Sequence, residues 1–136
     1  MTYMLDVNSL LALGVFDHEF HTRVAAWVVR LSAKGKPQLA TCSITELGFV
    51  RVLGHSQHYG VSITQARELL LQLKRSEKVV WIFIQDDLDI SRLPSWVKTP
   101  RQTTDGHLLE LAKTHKAAFA TLDRGIPGAY VIPLHS

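Results

Sequence analysis

The chain has 136 residues, near the most common size for a single domain, with 46% hydrophobic and 20% charged residues. That composition excludes a disordered or disulfide-rich chain, and the single cysteine, Cys42, excludes an internal disulfide and a cysteine metal cage. Fifteen Lys and Arg against twelve Asp and Glu give a formal charge of +3 and a pI of about 9.2; this mild excess permits an RNA partner without requiring one.

The apolar start is interrupted by Asp6 and Asn8 and lacks a basic leader and cleavage site, so it does not read as a signal peptide. No apolar run approaches the ~20 residues that span a bilayer, and a cytoplasmic protein is expected. Tyr3 to Leu5 reads as a strand ending at Asp6, and Asn8 opens a helix running to Gly14. From His18, the residues Phe20, Val24, Trp27, Val28 and Leu31 recur at helical steps, and the pattern stops near Gly35 and Pro37. A second strand covers Gln38 to Cys42. Ser43 starts the next helix, with Ile44, Leu47, Val50 and Leu53 on one face and Gly54 at the stop signal.

A further helix is expected from Thr64 to Arg75, striped by Ala66, Leu69, Leu70 and Leu73. The β-branched and aromatic run Val79 to Ile84 is a third strand. Asp86 to Leu93 is assigned a short helix, and Pro94 to Arg101, with two prolines, a surface loop. Thr103-Thr104-Asp105 opens a helix through Leu108, Leu109, Leu111 and Ala112; Ala117 to Leu122 is a strand ending at Asp123, Gly125 to Gly128 a turn, and Tyr130 to Leu134 a last strand. Alternating strands and helices over residues 1–136, without repeat or linker, predict one α/β domain with a mainly parallel sheet and helices on both faces.

In such a sheet, ligands bind beyond the carboxyl ends of the strands, where strand order reverses. Asp6, Glu46, Asp105 and Asp123 all fall at strand ends or the first turns of helices. Two carboxylates about 4 Å apart repel by roughly 4 kcal/mol at an effective dielectric near 20, so a cluster of them calls for a cation. Oxygen ligands without His or Cys pairs favour Mg²⁺ or Mn²⁺ over zinc. Each acid also has a structural reading. Ser43-Ile44-Thr45-Glu46 fits a capping box, Asp105 sits where acids favour a helix dipole, and Asp123-Arg124-Gly125 is a turn sequence.

Three segments resemble the PIN-domain ribonucleases, and within them the VapC-type toxins: Leu5-Asp6-Val7-Asn8-Ser9-Leu10-Leu11-Ala12-Leu13, Ser43-Ile44-Thr45-Glu46-Leu47-Gly48-Phe49-Val50-Arg51-Val52-Leu53, and Thr104-Asp105 followed by Ala120-Thr121-Leu122-Asp123-Arg124-Gly125. The resemblance implies a three-layer PIN-like fold, and an endoribonuclease whose Asp6, Glu46, Asp105 and Asp123 hold Mg²⁺ or Mn²⁺, with Asn8 and Thr121 supporting them. It also implies a homodimer, an RNA substrate, and a cognate antitoxin whose C-terminal segment occupies the active-site groove. Gly106 departs from the alanine common after the third acid, a change expected to be harmless beyond a small loss of helix propensity.

Arg51, Lys98, Arg101 and Arg124 are candidate phosphate contacts. Trp96 offers a base-stacking surface or a cap on the core. His18 and His21, three apart, lack a third ligand and are read as surface or packing residues; His55, His58, His107, His115 and His135 form no pattern, and Trp27 and Trp81 are read as core. A phosphoacceptor receiver domain is disfavoured because Asp6 has no acidic neighbour, and an Asp-x-Asp phosphatase because position 8 is Asn8. The alternative kept is a noncatalytic PIN-like module that binds RNA or a protein.

Overall fold

A computed structural model describes residues 1–134; His135 lies outside the described residues. The strands are β1 (Thr2–Leu5), β2 (Gln38–Thr41), β3 (Val80–Phe83), β4 (Ala117–Thr121) and β5 (Tyr130–Val131), and the helices α1 (Val7–Gly14), α2 (His21–Ser32), α3 (Ser43–His55), α4 (Ile63–Lys74) and α5 (Thr103–Thr114). The sheet runs β3-β2-β1-β4-β5, parallel at every pairing. The chain moves outward from β1 through β2 to β3, then returns to the other side of β1 with β4. The reversal that predicts a ligand site therefore lies between β1 and β4.

Alternate residues of each strand feed opposite faces, because a strand has a period of two. Leu5, Leu39, Ala120 and Ile132 join Val24, Trp27, Phe49, Leu53 and Leu70 under α1 to α4. Met4, Ala40 and Phe119 join Leu108, Leu111 and Ala112 of α5 on the other face. The predicted three-layer arrangement is present, four helices on one face and one on the other. No helix among the described residues is long and apolar enough to cross a membrane.

Several local expectations shift. The second helix starts at His21 rather than His18, because the His18 ring accepts the Phe20 backbone N–H at 3.0 Å and holds a turn before it. On α3 the buried face is Thr45, Gly48, Phe49 and Leu53, with Leu47 exposed. Gly48 permits this rotation, since a Cβ there would overlap the Val7 side chain of α1. Asp86 to Leu93 is not a helix but an extended stretch with one 3₁₀ turn, Ile90–Arg92. Asp86 and Asp89 bind the backbone N–H groups of Leu88 and Ser91, which competes with helix formation. The last strand stops at Val131 instead of Leu134.

Candidate active site

Asp6 follows β1 directly and caps α1: its Oδ1 accepts the Ser9 backbone N–H at 2.9 Å. Its own N–H donates to Ala120 O at 3.1 Å, so it continues the β1–β4 ladder. Its Oδ2 accepts the Thr121 hydroxyl at 2.5 Å, and that hydroxyl oxygen accepts the Asp123 backbone N–H at 3.0 Å. Thr121 is fully buried and Asp6 nearly so. One threonine thus ties the two strand ends, and the acid on each, into a single unit.

Asp123 caps its own turn by accepting the Gly125 N–H at 2.8 Å. Asp105 enters from the first turn of α5. Asp6, Asp105 and Asp123 line one cleft of about 530 Å³, with Asn8 and Thr104 at its polar edge and no Lys or Arg among its lining residues. Burial pushes the Asp6 carboxyl above the usual carboxylate range; the charge of Asp123 adds to this, and hydrogen bonds from Ser9 and Thr121 oppose it. Burial raises Asp105 too, reinforced by Asp6 and Asp123. The charge of Asp123 thus acts on both Asp6 and Asp105.

Glu46 stands apart. It does not line that cleft but borders an apolar groove between α3 and α4, where its Oε2 accepts the Thr41 hydroxyl at 2.5 Å and pairs with Lys74 Nζ. Nor does it serve as the box residue of a Ser43 cap. The N-cap is Cys42, and Thr45 returns the bond, its Oγ1 accepting the Cys42 N–H at 3.0 Å. Asn8 lies at the cleft, where its Oδ1 is 3.0 Å from His18 Nε2. Because His18 Nδ1 already accepts from Phe20, the neutral ring carries its proton on Nε2 and donates it to Asn8. Sequence spacing made His18 and His21 look like an isolated pair; the supporting contact to Asn8 had no local signal.

A second, polar cleft of about 260 Å³ opens on the other side of Asp105 and Asp123, lined also by Trp96, Thr99, Arg101 and Gln102. Arg101 is therefore the predicted cation brought beside the acids. Arg51 instead borders a surface hollow with Leu47 and His55, and Arg124 and Lys98 are exposed without lining either cleft. Trp96 packs on the second core face as a cap, with one side open to the polar cleft.

The profile of the PIN domain matches residues 3–131. The chain belongs to the PIN-domain family. It is 37% identical over 141 residues to ribonuclease VapC44 of Mycobacterium tuberculosis, spanning 95% of this chain and 94% of that one. It is 35% identical over 127 residues to ribonuclease VapC38 of the same organism, spanning 90% and 86%. The crystal structure of VapC20 of M. tuberculosis, a toxin that cleaves the sarcin–ricin loop, superposes with a TM-score of 0.63, covering 96% of this chain and 99% of that one at 14% identity, which establishes a shared fold. The PIN domain here is of the VapC type.

The acids of this PIN domain suit a hard divalent ion. They are oxygen donors gathered in one cleft with no Lys or Arg in its lining, and carboxylate oxygens suit hard divalent cations. Among the described residues no three acids or imidazoles close on one point as a finished cage. Mg²⁺ does not need one, because it keeps several waters and takes only one or two carboxylates directly.

Proposed function

We propose that this VapC-type PIN domain is the endoribonuclease toxin of a toxin–antitoxin pair and that it hydrolyses RNA with Mg²⁺ or Mn²⁺ held by Asp6, Asp105 and Asp123. The observation that carries this is the cleft shared by Asp6, Asp105 and Asp123 at the β1–β4 reversal. The ion, when bound, supplies Lewis acidity toward a phosphodiester oxygen and lowers the pKa of a water. The protein supplies position. Thr121 fixes the Asp6 carboxylate against β4, and the Ser9 N–H holds its other oxygen. His18 orients the Asn8 amide so that its N–H₂ remains available at the cleft edge. Arg101, beside the acids on the opposite side, offers a charge-assisted bond to a flanking phosphate.

The RNA strand in this reading crosses the acids from one cleft to the other. A cognate antitoxin blocks the same groove, the active form is a homodimer, and the protein works in the cytoplasm. Overproduction without the antitoxin should arrest growth and fragment cellular RNA, whereas Asp6→Asn at equal soluble abundance should do neither. Unaffected growth and intact RNA with soluble wild-type protein would reject the toxin reading.

A further inference from the structure

The polar cleft beside Asp105 and Asp123 carries side chains that the metal site leaves unused. It holds about 260 Å³, and Trp96, Arg101 and Gln102 line it together with the two acids. Trp96 is half-buried against the second core cluster, so its indole is held in place where it borders the cleft. The loop that carries it lies close on α5, because Val97 fills the space that a Cβ on Gly106 would take.

Gln102 is fixed by its own hydrogen bonds. Its Oε1 accepts the backbone N–H of Lys98 at 2.7 Å and that of Thr99 at 3.1 Å. Both partners are donors, so the amide oxygen and not the nitrogen faces them, and both of its lone pairs are taken. The Nε2 group keeps its two hydrogens, and among the described residues it donates to no other group. Held this way, the side chain is a donor only. It can meet a carbonyl oxygen but cannot accept a hydrogen bond from an amine.

An aromatic surface, a fixed donor and a cation around one small space are what a single-stranded nucleotide needs: the base stacks, a hydrogen bond reads its edge, and its phosphate meets the guanidinium. We propose that this cleft is a base subsite, in which Trp96 stacks an unpaired base flanking the scissile phosphate and Gln102 reads its edge, favouring uracil or guanine over adenine. Uracil and guanine offer a carbonyl oxygen to a donor, whereas adenine presents an amine in the corresponding place. Arg101, exposed at the rim, takes the phosphate of the same nucleotide. The inference rests on the reading of the protein as a ribonuclease and adds which bases it selects.

Fluorescence anisotropy of labelled hexauridylate and hexaadenylate on the purified full chain tests it, in Ca²⁺ as an oxygen-seeking divalent ion and with the RNA checked on a gel for integrity. The wild type should bind hexauridylate about fivefold more tightly than hexaadenylate. Gln102→Glu still accepts from the Lys98 and Thr99 N–H groups but exchanges the donor for an acceptor, so it should cancel or reverse that ratio. Its added charge weakens both RNAs alike and drops out of the comparison. Trp96→Leu keeps an apolar cap on the core without the stacking face, and should weaken both RNAs by about tenfold. Equal binding of the two RNAs by the wild type, or an unchanged ratio in Gln102→Glu, would overturn the proposal, and this comparison decides even if Trp96→Leu does not fold. Metal-dependent cleavage of a mixed RNA pool, measured alongside, separates the two ways of failing. Cleavage without a ratio that depends on Gln102 leaves a ribonuclease that reads its bases elsewhere; neither cleavage nor binding removes the ribonuclease reading and the subsite with it.

Discussion

Thr121 is the residue on which the site's geometry depends most. Its hydroxyl donates to Asp6 and accepts from the Asp123 N–H while wholly buried, so both halves of its hydrogen-bonding capacity are used. Replacing it by valine, nearly equal in shape, would leave the Asp123 N–H without its acceptor and the Asp6 Oδ2 without its donor. Thr121→Val should therefore cost about 1–3 kcal/mol of stability. It should also lower cleavage well beyond what that loss explains, and Thr121→Ser should recover most of both. Denaturant melts and initial rates on one RNA check the two readouts; a silent Thr121→Val would show that the strand ends hold themselves. Thr121 drew notice from its place in the motif, whereas its bond to Asp6 joins residues 115 positions apart and no local pattern encodes it.

Among the elements, α5 shows how a sequence expectation can invert. Gly106 reads as a harmless departure from alanine, yet it is buried and a Cβ there would overlap the Val97 side chain of the preceding loop, with Pro94 and Leu93 close behind. The glycine lets the 94–101 segment lie against the helix that carries Asp105, which is how Trp96 and Arg101 reach the polar cleft. Gly106→Ala should cost about 1–3 kcal/mol by overpacking despite its better helix propensity. Val97→Ala in the same chain should restore most of it; a Gly106→Ala chain as stable as the wild type would mean the loop yields freely.

The helical and strand order was readable because hydrophobic periodicity is strong in α2, α4 and β4. The buried face of α3 was not, because Leu47 and Val50 form their own apolar stripe toward the α4 groove. Hydrophobicity marks both a core and an exposed groove, and only packing separates them. Asp86 to Leu93 failed for another reason: two aspartates took backbone N–H groups that a helix would have used.

At the scale of the whole molecule, the parallel order β3-β2-β1-β4-β5 gathers three acids from residues 6, 105 and 123 at one switch point. Strand ends alone pointed to four acids meeting at one edge; three of them line the cleft, while Glu46 borders the neighbouring α3–α4 groove and pairs with Lys74, a contact between two helices that no local pattern encodes. Asp6 and Asp105 both have native pKa values raised above the unfolded range of about 3.9. Their contribution to stability is therefore fully present below that range and is lost as pH rises through the elevated native values. Metal binding needs them ionised, so Mn²⁺ should stabilise little near pH 4.5 and increasingly toward pH 7, by about 2.7 kcal/mol at a hundredfold excess over its Kd. Melting curves with and without Mn²⁺ across that interval check it, and a shift independent of pH would place the ion elsewhere.

The central claim, that three aspartates in one cleft hold the metal that cuts RNA, is tested most directly by incubating purified protein with a mixed RNA pool and Mg²⁺ or Mn²⁺, beside an EDTA control and Asp105→Asn. Metal-dependent cleavage that falls by at least about a hundredfold in the variant, roughly 2.7 kcal/mol of transition-state stabilisation, is the expected result. Cleavage that survives EDTA, or that Asp105→Asn performs at the wild-type rate, would contradict it.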